Sequence, residues 1–315
     1  MSKNNNCESQ TFEGAIKQFL TNTKAKLKQS TFSRYTFICE RYILPYFKQI
    51  ELKNLNNDII NKFIQDKIEN GGLKGLPLSA KTISDMVCLL KQIIKNYCKS
   101  IDFDINIIKP CYKQQEITVF SDIEYNKLKT YLSFDTDNKK LGIIIAMLTG
   151  IRIGELCALK WENIDLENGT IFINKTIQRI KNTDDTEENK TKIIIDVPKS
   201  TTSIRIIPIP QILINKLKNF KAHNHTYLLT NTENYIEPRI YQRHFKHYLK
   251  ICKIKDNKFH SLRHTFATMA ISKGIDVKTL SILLGHADVG FTMKRYVHPN
   301  MEHKREQIEK LAIGF

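Results

Sequence analysis

Ile83, Met86, Val87, Leu90, Ile93, Ile94 and Tyr97 recur at i, i+3, i+4 and i+7. That spacing lines one face of a helix and fits no strand. An apolar face this continuous must be buried against other elements, and Ser79 ahead of it is a good N-cap. Three more amphipathic segments precede it. One covers residues 12–27. A second opens at Ser30 and carries Phe32, Tyr35, Ile38, Tyr42 and Ile43. A third covers residues 57–68 and stops at the Gly71–Gly72 pair. Together they predict an all-helical domain over residues 11–100. The polar residues 1–10 are expected to be disordered.

Residues 101–118 show no sustained period and contain Lys109–Pro110, which reads as an inter-domain linker. A new start follows at Ser121, with Asp122 and Glu124 in the first helical turn. A very apolar helix over residues 141–148 ends at Thr149–Gly150, and a short helix after Arg152 leads to Trp161. Three runs rich in Ile and Val, at residues 170–174, 192–197 and 204–209, predict strands. Residues 181–190 (KNTDDTEENK) read as a charged surface loop, and helices resume near Gln211 and over 239–252.

The formal net charge is +17, from 49 Lys and Arg against 32 Asp and Glu, spread along the folded segments and not gathered in a tail. That distribution fits a protein that wraps a long polyanion such as nucleic acid; the alternative is a bias toward Lys, Asn and Ile in composition. The seven cysteines are scattered, with no CxxC pair, so zinc-ribbon and disulfide frameworks are not expected. No apolar run approaches the roughly eighteen residues of a membrane span, and no signal-peptide pattern opens the chain. A cytosolic protein without a membrane partner is expected.

Residues 259–299 concentrate the chemistry. His260, Arg263, His264, His286, Arg295, Tyr296 and His298 fall within a stretch otherwise patterned as helix, which Gly285 interrupts as a C-cap would. His260 and Arg263, at i and i+3, share one helical face, and in a basic protein such a pair suits a phosphate. His260 and His264 also have a metal-ligand spacing, but Arg263 lies between them, no HExxH glutamate is present and no third ligand is near in sequence. Neither metal nor cofactor is expected; the chain has no P-loop, so ATP is not expected either.

Three blocks, taken in order, carry a resemblance: AMLTGIRIGELCALKW at residues 146–161, HSLRHTFAT at 260–268 and LLGHADVGFTMKRYVHP at 283–299. The chain resembles the tyrosine site-specific recombinases of the phage integrase family over nearly its whole length. The resemblance implies a mainly α fold with a small antiparallel β-sheet: an all-helical core-binding (SAM-like) domain, then an α+β catalytic domain over residues 119–315 with a C-terminal tail at 301–315. It implies catalytic roles for Arg152, Lys199, His260, Arg263, His286 and Tyr296, with Glu155 and His264 in support. Arg152 and Arg263 would grip one phosphate, and Tyr296 would be the nucleophile. His260 would act as acid, base or hydrogen-bond donor, and His286 would bond a non-bridging oxygen. Lys199 would protonate the leaving 5′-oxygen, although Lys190 and Lys192 flank the preceding strand and compete for that position. His264 would serve mainly in packing.

The implied reaction is exchange of DNA strands through a 3′-phosphotyrosine link and a Holliday junction. The implied partners are double-stranded DNA attachment sites, a homotetramer on two such sites, and an accessory DNA-bending or directionality factor, in a cytoplasmic, nucleoid-associated setting. The PKSTTSIRIIPIP stretch at residues 198–210 looks more like mobile-element integrases than chromosome-dimer resolvases. Because the core-binding helices begin almost at once, an arm-binding domain is not expected. Two other readings stay open at this point: type IB topoisomerase-like relaxation, and a DNA-binding relic that no longer cuts.

Overall fold

The computed structural model describes residues 11–72, 75–97, 117–183, 189–198 and 200–297, together with 301, 305, 308 and 309. The expected disorder at 1–10, nearly all of the linker expected over 101–118, Lys199, His298 and most of the tail expected at 301–315 lie outside the described residues. The chain divides into two compact units, Met1–Gln115 with Ile180–Lys192, and Glu116–Arg179 with Ile193–Phe315.

The first unit is helical apart from its share of a β-hairpin. Helix α1 (Phe12–Lys24) is capped by Thr11, whose hydroxyl accepts from the Gly14 N–H. Helix α2 (Gln29–Ile38) runs into a π turn (Cys39–Ile43) and then α3 (Leu44–Phe47). Sequence periodicity reads this stretch as one helix. Pro45 supplies the reason for the break, since it has no N–H to give and its ring collides with the carbonyl one turn back. The Leu44 N–H reaches the Cys39 carbonyl, and the wider turn makes room. Helix α4 (Asn57–Asn70) begins under Asn56, which accepts from the Ile59 N–H, and ends at Gly71; α5 (Ala80–Tyr97) begins with the Thr82 N–H on Ser79 Oγ. Ile83, Met86, Val87, Leu90 and Ile93 are buried against Phe12, Phe47 and Phe63. The Phe47 and Phe63 rings meet edge-on at 4.9 Å. Each such side chain contributes roughly 1.5–3 kcal/mol of apolar burial, and Phe63→Ala would cost about 3–5 kcal/mol.

The second unit opens on α6 (Asp122–Ser133) with a capping box between Ser121 and Glu124, followed by α7 (Asn138–Thr149) and α8 (Ile153–Ala158). Five short strands follow: β1 (Ile164–Asp165), β2 (Thr170–Ile173), β3 (Thr176–Lys181), β4 (Thr191–Asp196) and β5 (Arg205–Pro208). Strands β1, β2 and β5 form an antiparallel sheet in that order, with Ile173 opposite Arg205, and β3 pairs with β4. The charged loop read from sequence closes the β3–β4 hairpin, where the Asn182 N–H donates to the Lys190 carbonyl at 3.0 Å.

Helices α9 (Gln211–Lys218), α10 (Pro238–Ile251), α11 (His260–Ser272), α12 (Val277–Leu284) and α13 (Val289–Tyr296) complete the unit. Trp161, Tyr241, Phe245 and Phe259 are fully buried in its main core. The polar atoms of that core are satisfied: Trp161 Nε1 donates to Asn231 Oδ1 at 2.7 Å, and Tyr241 Oη to the Lys139 carbonyl at 2.7 Å. A smaller cluster of Ala267, Ala270, Leu280, Leu284 and Tyr296 holds α11, α12 and α13 together. Among the described residues no helix is long and apolar enough to cross a membrane.

Candidate active site

Two left-handed glycines set the geometry. Gly150 (φ 63°) ends α7 and Gly285 (φ 64°) ends α12, each in a conformation that other residues adopt only at a cost. Gly285 closes a Schellman turn, with the His286 N–H on the Ser281 carbonyl at 3.0 Å. Each glycine also delivers its carbonyl to an arginine from the other side of the site. Arg263 Nη1 donates to Gly150 O at 2.9 Å, and Arg152 Nη2 to Gly285 O at 3.2 Å. The two arginines are thereby strapped to opposite turns.

Arg152 sits at the N-cap of α8, where helix-end N–H groups are open to an acceptor. Glu155 takes that place: its Oε2 accepts from the Arg152 backbone N–H at 3.1 Å, and its Oε1 from Arg152 Nη1 at 2.7 Å. The same carboxylate receives a residue the sequence reading did not single out. Arg205, at the start of β5, donates Nη2 to Oε2 at 2.9 Å and Nη1 to Oε1 at 3.2 Å, and its Nε reaches the Leu283 carbonyl at 2.7 Å. The side chains of Arg205 and Glu155 are each 3% exposed. Burial alone would raise the Glu155 pKa, but Arg205 and then Arg152 outweigh it and hold the carboxyl below its ordinary value.

Arg263 is buried on α11. Its Nη2 donates to the Leu284 carbonyl at 2.6 Å and lies 2.8 Å from His286 Nε2. A guanidinium only donates, so His286 Nε2 accepts and the imidazole proton sits on Nδ1, 2.7 Å from Thr292 Oγ1. Burial and the neighbouring Arg263 push the His286 pKa down to about 3, in keeping with a neutral ring. Burial and Arg152 press Arg263 down to about 9, which leaves it charged at neutral pH. Three guanidiniums (Arg152, Arg205, Arg263) thus surround one carboxylate beside neutral histidines, and the site carries a surplus of positive charge.

Tyr296 ends α13, is 7% exposed, and places Oη 2.8 Å from His264 Nδ1. Burial raises its pKa further than Arg263, Arg295 and Arg152 lower it, so the phenol is protonated in the free protein. His260, one turn before His264, is exposed and packs its ring edge-on against His264 at 4.5 Å between centroids. Burial around its ring and Arg263 push the His260 pKa down to about 4. The structure therefore brings Arg152, Glu155, Arg263, His264, His286 and Tyr296 within electrostatic reach of one another as three hydrogen-bonded pairs, Arg152–Glu155, Arg263–His286 and His264–Tyr296, with His260 at the edge and Arg205 behind. His264, expected mainly to pack, holds the tyrosine hydroxyl. Lys199 lies outside the described residues. A cleft of about 410 Å³ opens beside Arg152, lined also by Gly154, Arg179, Pro238 and Arg239.

Arginines, histidines and a tyrosine so placed could hold a phosphate, and among the described residues no group of three or more His, Cys, Asp or Glu could hold a metal ion. The Phage integrase family profile matches residues 121–303, and the profile of the family's N-terminal SAM-like domain matches residues 11–68. The chain belongs to the phage integrase family; it is a tyrosine recombinase, an enzyme of site-specific DNA breakage and rejoining. It is 29% identical over 310 residues to a XerC-like tyrosine recombinase of Caldanaerobacter subterraneus subsp. tengcongensis, covering 90% of this chain and 78% of that one. Its fold is similar to that of the Tn1549 transposon integrase in complex with transposon right-end DNA (TM-score 0.74, 19% identity, 96% of this chain and 100% of that one). It is also similar to a lambda integrase tetramer bound to a Holliday junction (TM-score 0.64, 16% identity, 95% of this chain and 81% of that one).

Proposed function

We propose that this recombinase is the integrase of a mobile element and that Tyr296 is its nucleophile. The observation that carries the reading is the Arg263 guanidinium, which ties its own sequence block to the other two through Gly150, Leu284 and His286. A scissile phosphate docked there meets Arg152 and Arg263, whose fork geometry suits its non-bridging oxygens and the charge that grows on them. Tyr296 Oη attacks phosphorus, the 5′-oxygen leaves with a proton supplied by Lys199, and a 3′-phosphotyrosine remains. His260 stands at the exposed edge to donate to the phosphate. His286 donates to it only after its ring proton moves from Nδ1 to Nε2, a change the incoming anion favours by drawing Arg263 away.

The phosphotyrosine conserves the energy of the broken bond, so a 5′-hydroxyl from a partner duplex displaces Tyr296 without a cofactor. Phosphodiester cleavage requires a barrier reduction on the order of 20 kcal/mol, within reach of in-line positioning combined with charge stabilisation. Residues 11–100 would form the core-binding domain and residues 119–315 the catalytic domain. Four protomers would assemble on two sites, as the lambda integrase tetramer on its junction supports. An accessory DNA-bending or directionality factor would set the direction, in a cytoplasmic, nucleoid-associated setting.

Strand exchange tests this reading. The protein is incubated with two differently labelled duplexes tiled across the DNA flanking its own coding sequence. Joint molecules and Holliday junctions are the expected products. Relaxation of supercoiled DNA of arbitrary sequence by monomers, with no joint molecules, would place the chain with topoisomerase-like enzymes instead.

A further inference from the structure

The hydroxyl of a buried nucleophile must hand its proton to something. Tyr296 is 7% exposed, and among the described residues the hydrogen-bond partner of its Oη is His264 Nδ1, at 2.8 Å. His260 is one turn earlier on α11 and meets His264 edge-on, ring to ring. We infer that His264, and not His260, is the catalytic base that accepts the Tyr296 proton during strand cleavage and returns it during rejoining. The inference rests on Tyr296 being the nucleophile.

The nucleophile's proton stays within the pair, while the leaving 5′-oxygen takes its own from the separate acid already proposed. Tyr296 Oη forms a bond to phosphorus as its proton passes to His264 Nδ1, and the P–O5′ bond breaks with its electron pair on the 5′-oxygen. On rejoining, the incoming 5′-hydroxyl returns its proton to the group that protonated it on leaving, its oxygen bonds to phosphorus as the bond to Tyr296 Oη breaks, and the His264 imidazolium reprotonates the departing phenolate. A neutral imidazole with Nδ1 unprotonated is the form that accepts, and the environment enforces neutrality. The groups facing His264 are His260 and Arg263 on its own helix, and Arg295 and Tyr296 on α13. Burial and then His260, Arg295 and Arg263 push its pKa down to about 3.

That value gives the pair a second property. In the free protein burial holds the phenol above its ordinary value and the imidazole far below its own, so Tyr296 keeps its proton and the nucleophile is silent. A phosphate bound at Arg152 and Arg263 offsets the part of the positive field on His264 that Arg263 supplies, and bond formation to phosphorus makes the phenolic proton strongly acidic. Both changes favour transfer, and both require DNA. The geometry couples deprotonation of the nucleophile to docking of the scissile phosphate.

The test is the single-turnover rate of covalent adduct formation between pH 5 and 9 on a nicked suicide duplex cut by the wild type. His264→Asn places an amide oxygen where Nδ1 lies, keeping the hydrogen bond but not the basicity. The expected result is a rate about 10²-fold lower with duplex binding unchanged in a gel shift. The wild-type rate should level off above an apparent pKa, whereas the variant rate should climb about tenfold per pH unit. Sulfur in place of the bridging 5′-oxygen, which removes the need to protonate the leaving group, should not rescue it. A variant rate within about threefold of wild type with an unchanged profile overturns the inference. Rescue by the sulfur substrate does so too, as does a tenfold-per-unit climb in His260→Asn alone. Should His264→Asn fail to fold, His264→Gln is read by the same rate and pH profile, with His260→Asn alongside, and the same outcomes decide. Absence of any wild-type adduct, or an adduct that survives Tyr296→Phe, would instead count against the nucleophile assignment.

Discussion

Arg205 and Glu155 form a two-pronged ion pair, at 2.9 and 3.2 Å, with both side chains almost completely shielded from water. Breaking a buried pair by removing one partner leaves an uncompensated charge, which typically costs about 3–5 kcal/mol. Arg205→Ala should lower the stability of the second unit by that order in chemical denaturation, and should reduce cleavage because Glu155 then draws Arg152 inward. Arg205→Lys should recover only part of both, since a lysine cannot present the fork. A denaturation midpoint unchanged in Arg205→Ala would contradict the account.

The glycine carbonyls matter as much as the arginines they hold. A Cβ at Gly150 would come within 2.6 Å of Phe266 Cδ1 and 2.8 Å of Leu284 Cδ2, while one at Gly285 meets its nearest atoms at 3.1 Å. Both positions also have positive φ, a cost of roughly 1–2 kcal/mol for alanine. Gly150→Ala should therefore destabilise by about 2–4 kcal/mol, and by more than Gly285→Ala. Paired thermal or urea melts of the two variants give the order directly.

The three histidines of the site make stability depend on pH. His260 is pushed down to about 4, and His264 and His286 to about 3, below the ordinary value of 6.5. Between those values the unfolded chain binds protons that the folded one does not, so folding stability is fully present above about pH 6.5. It falls as pH drops from there toward 4 and 3. Glu155 adds to the decline lower down: its folded pKa is depressed, so its contribution is present above the ordinary carboxylate value and is lost as pH falls through the folded one. Imidazole proton resonances of His264 and His286 in the free protein should not titrate between pH 8 and 5, and denaturation midpoints should fall steadily with acid. Titration of either ring near pH 6.5 would contradict the neutral state assigned to them.

Much of the site is legible in sequence because its members sit beside local signals. Arg152 follows a helix-ending Gly150, His286 follows a helix-ending Gly285, and Arg263 and His260 share a helical face; turns and periodicity locate all four, and the resemblance of their sequence blocks supplies the roles expected of them. Arg205 gives no such signal. It lies 50 residues from Glu155, in a strand whose pattern of burial alone would assign it to the core face as an anomaly. Nor does the contact of His264 with Tyr296, which joins positions 32 residues apart through the packing of α11 on α13. In the fold, β3 escapes the alternation rule because its buried residues Ile177 and Ile180 are three apart, and β1 is too short to show any period. The π turn at Cys39–Ile43 keeps the apolar stripe going through Pro45, so periodicity reads straight across it.

The central claim is that Tyr296 becomes covalently joined to DNA. The direct measurement is mass spectrometry of the denatured, nuclease- and protease-digested adduct formed on a nicked suicide duplex. The account predicts a nucleotide carried through its 3′-phosphate on the peptide containing Tyr296, and no adduct from Tyr296→Phe although that variant still folds and binds the duplex. A nucleotide on any other residue, or an adduct formed by Tyr296→Phe, would contradict it.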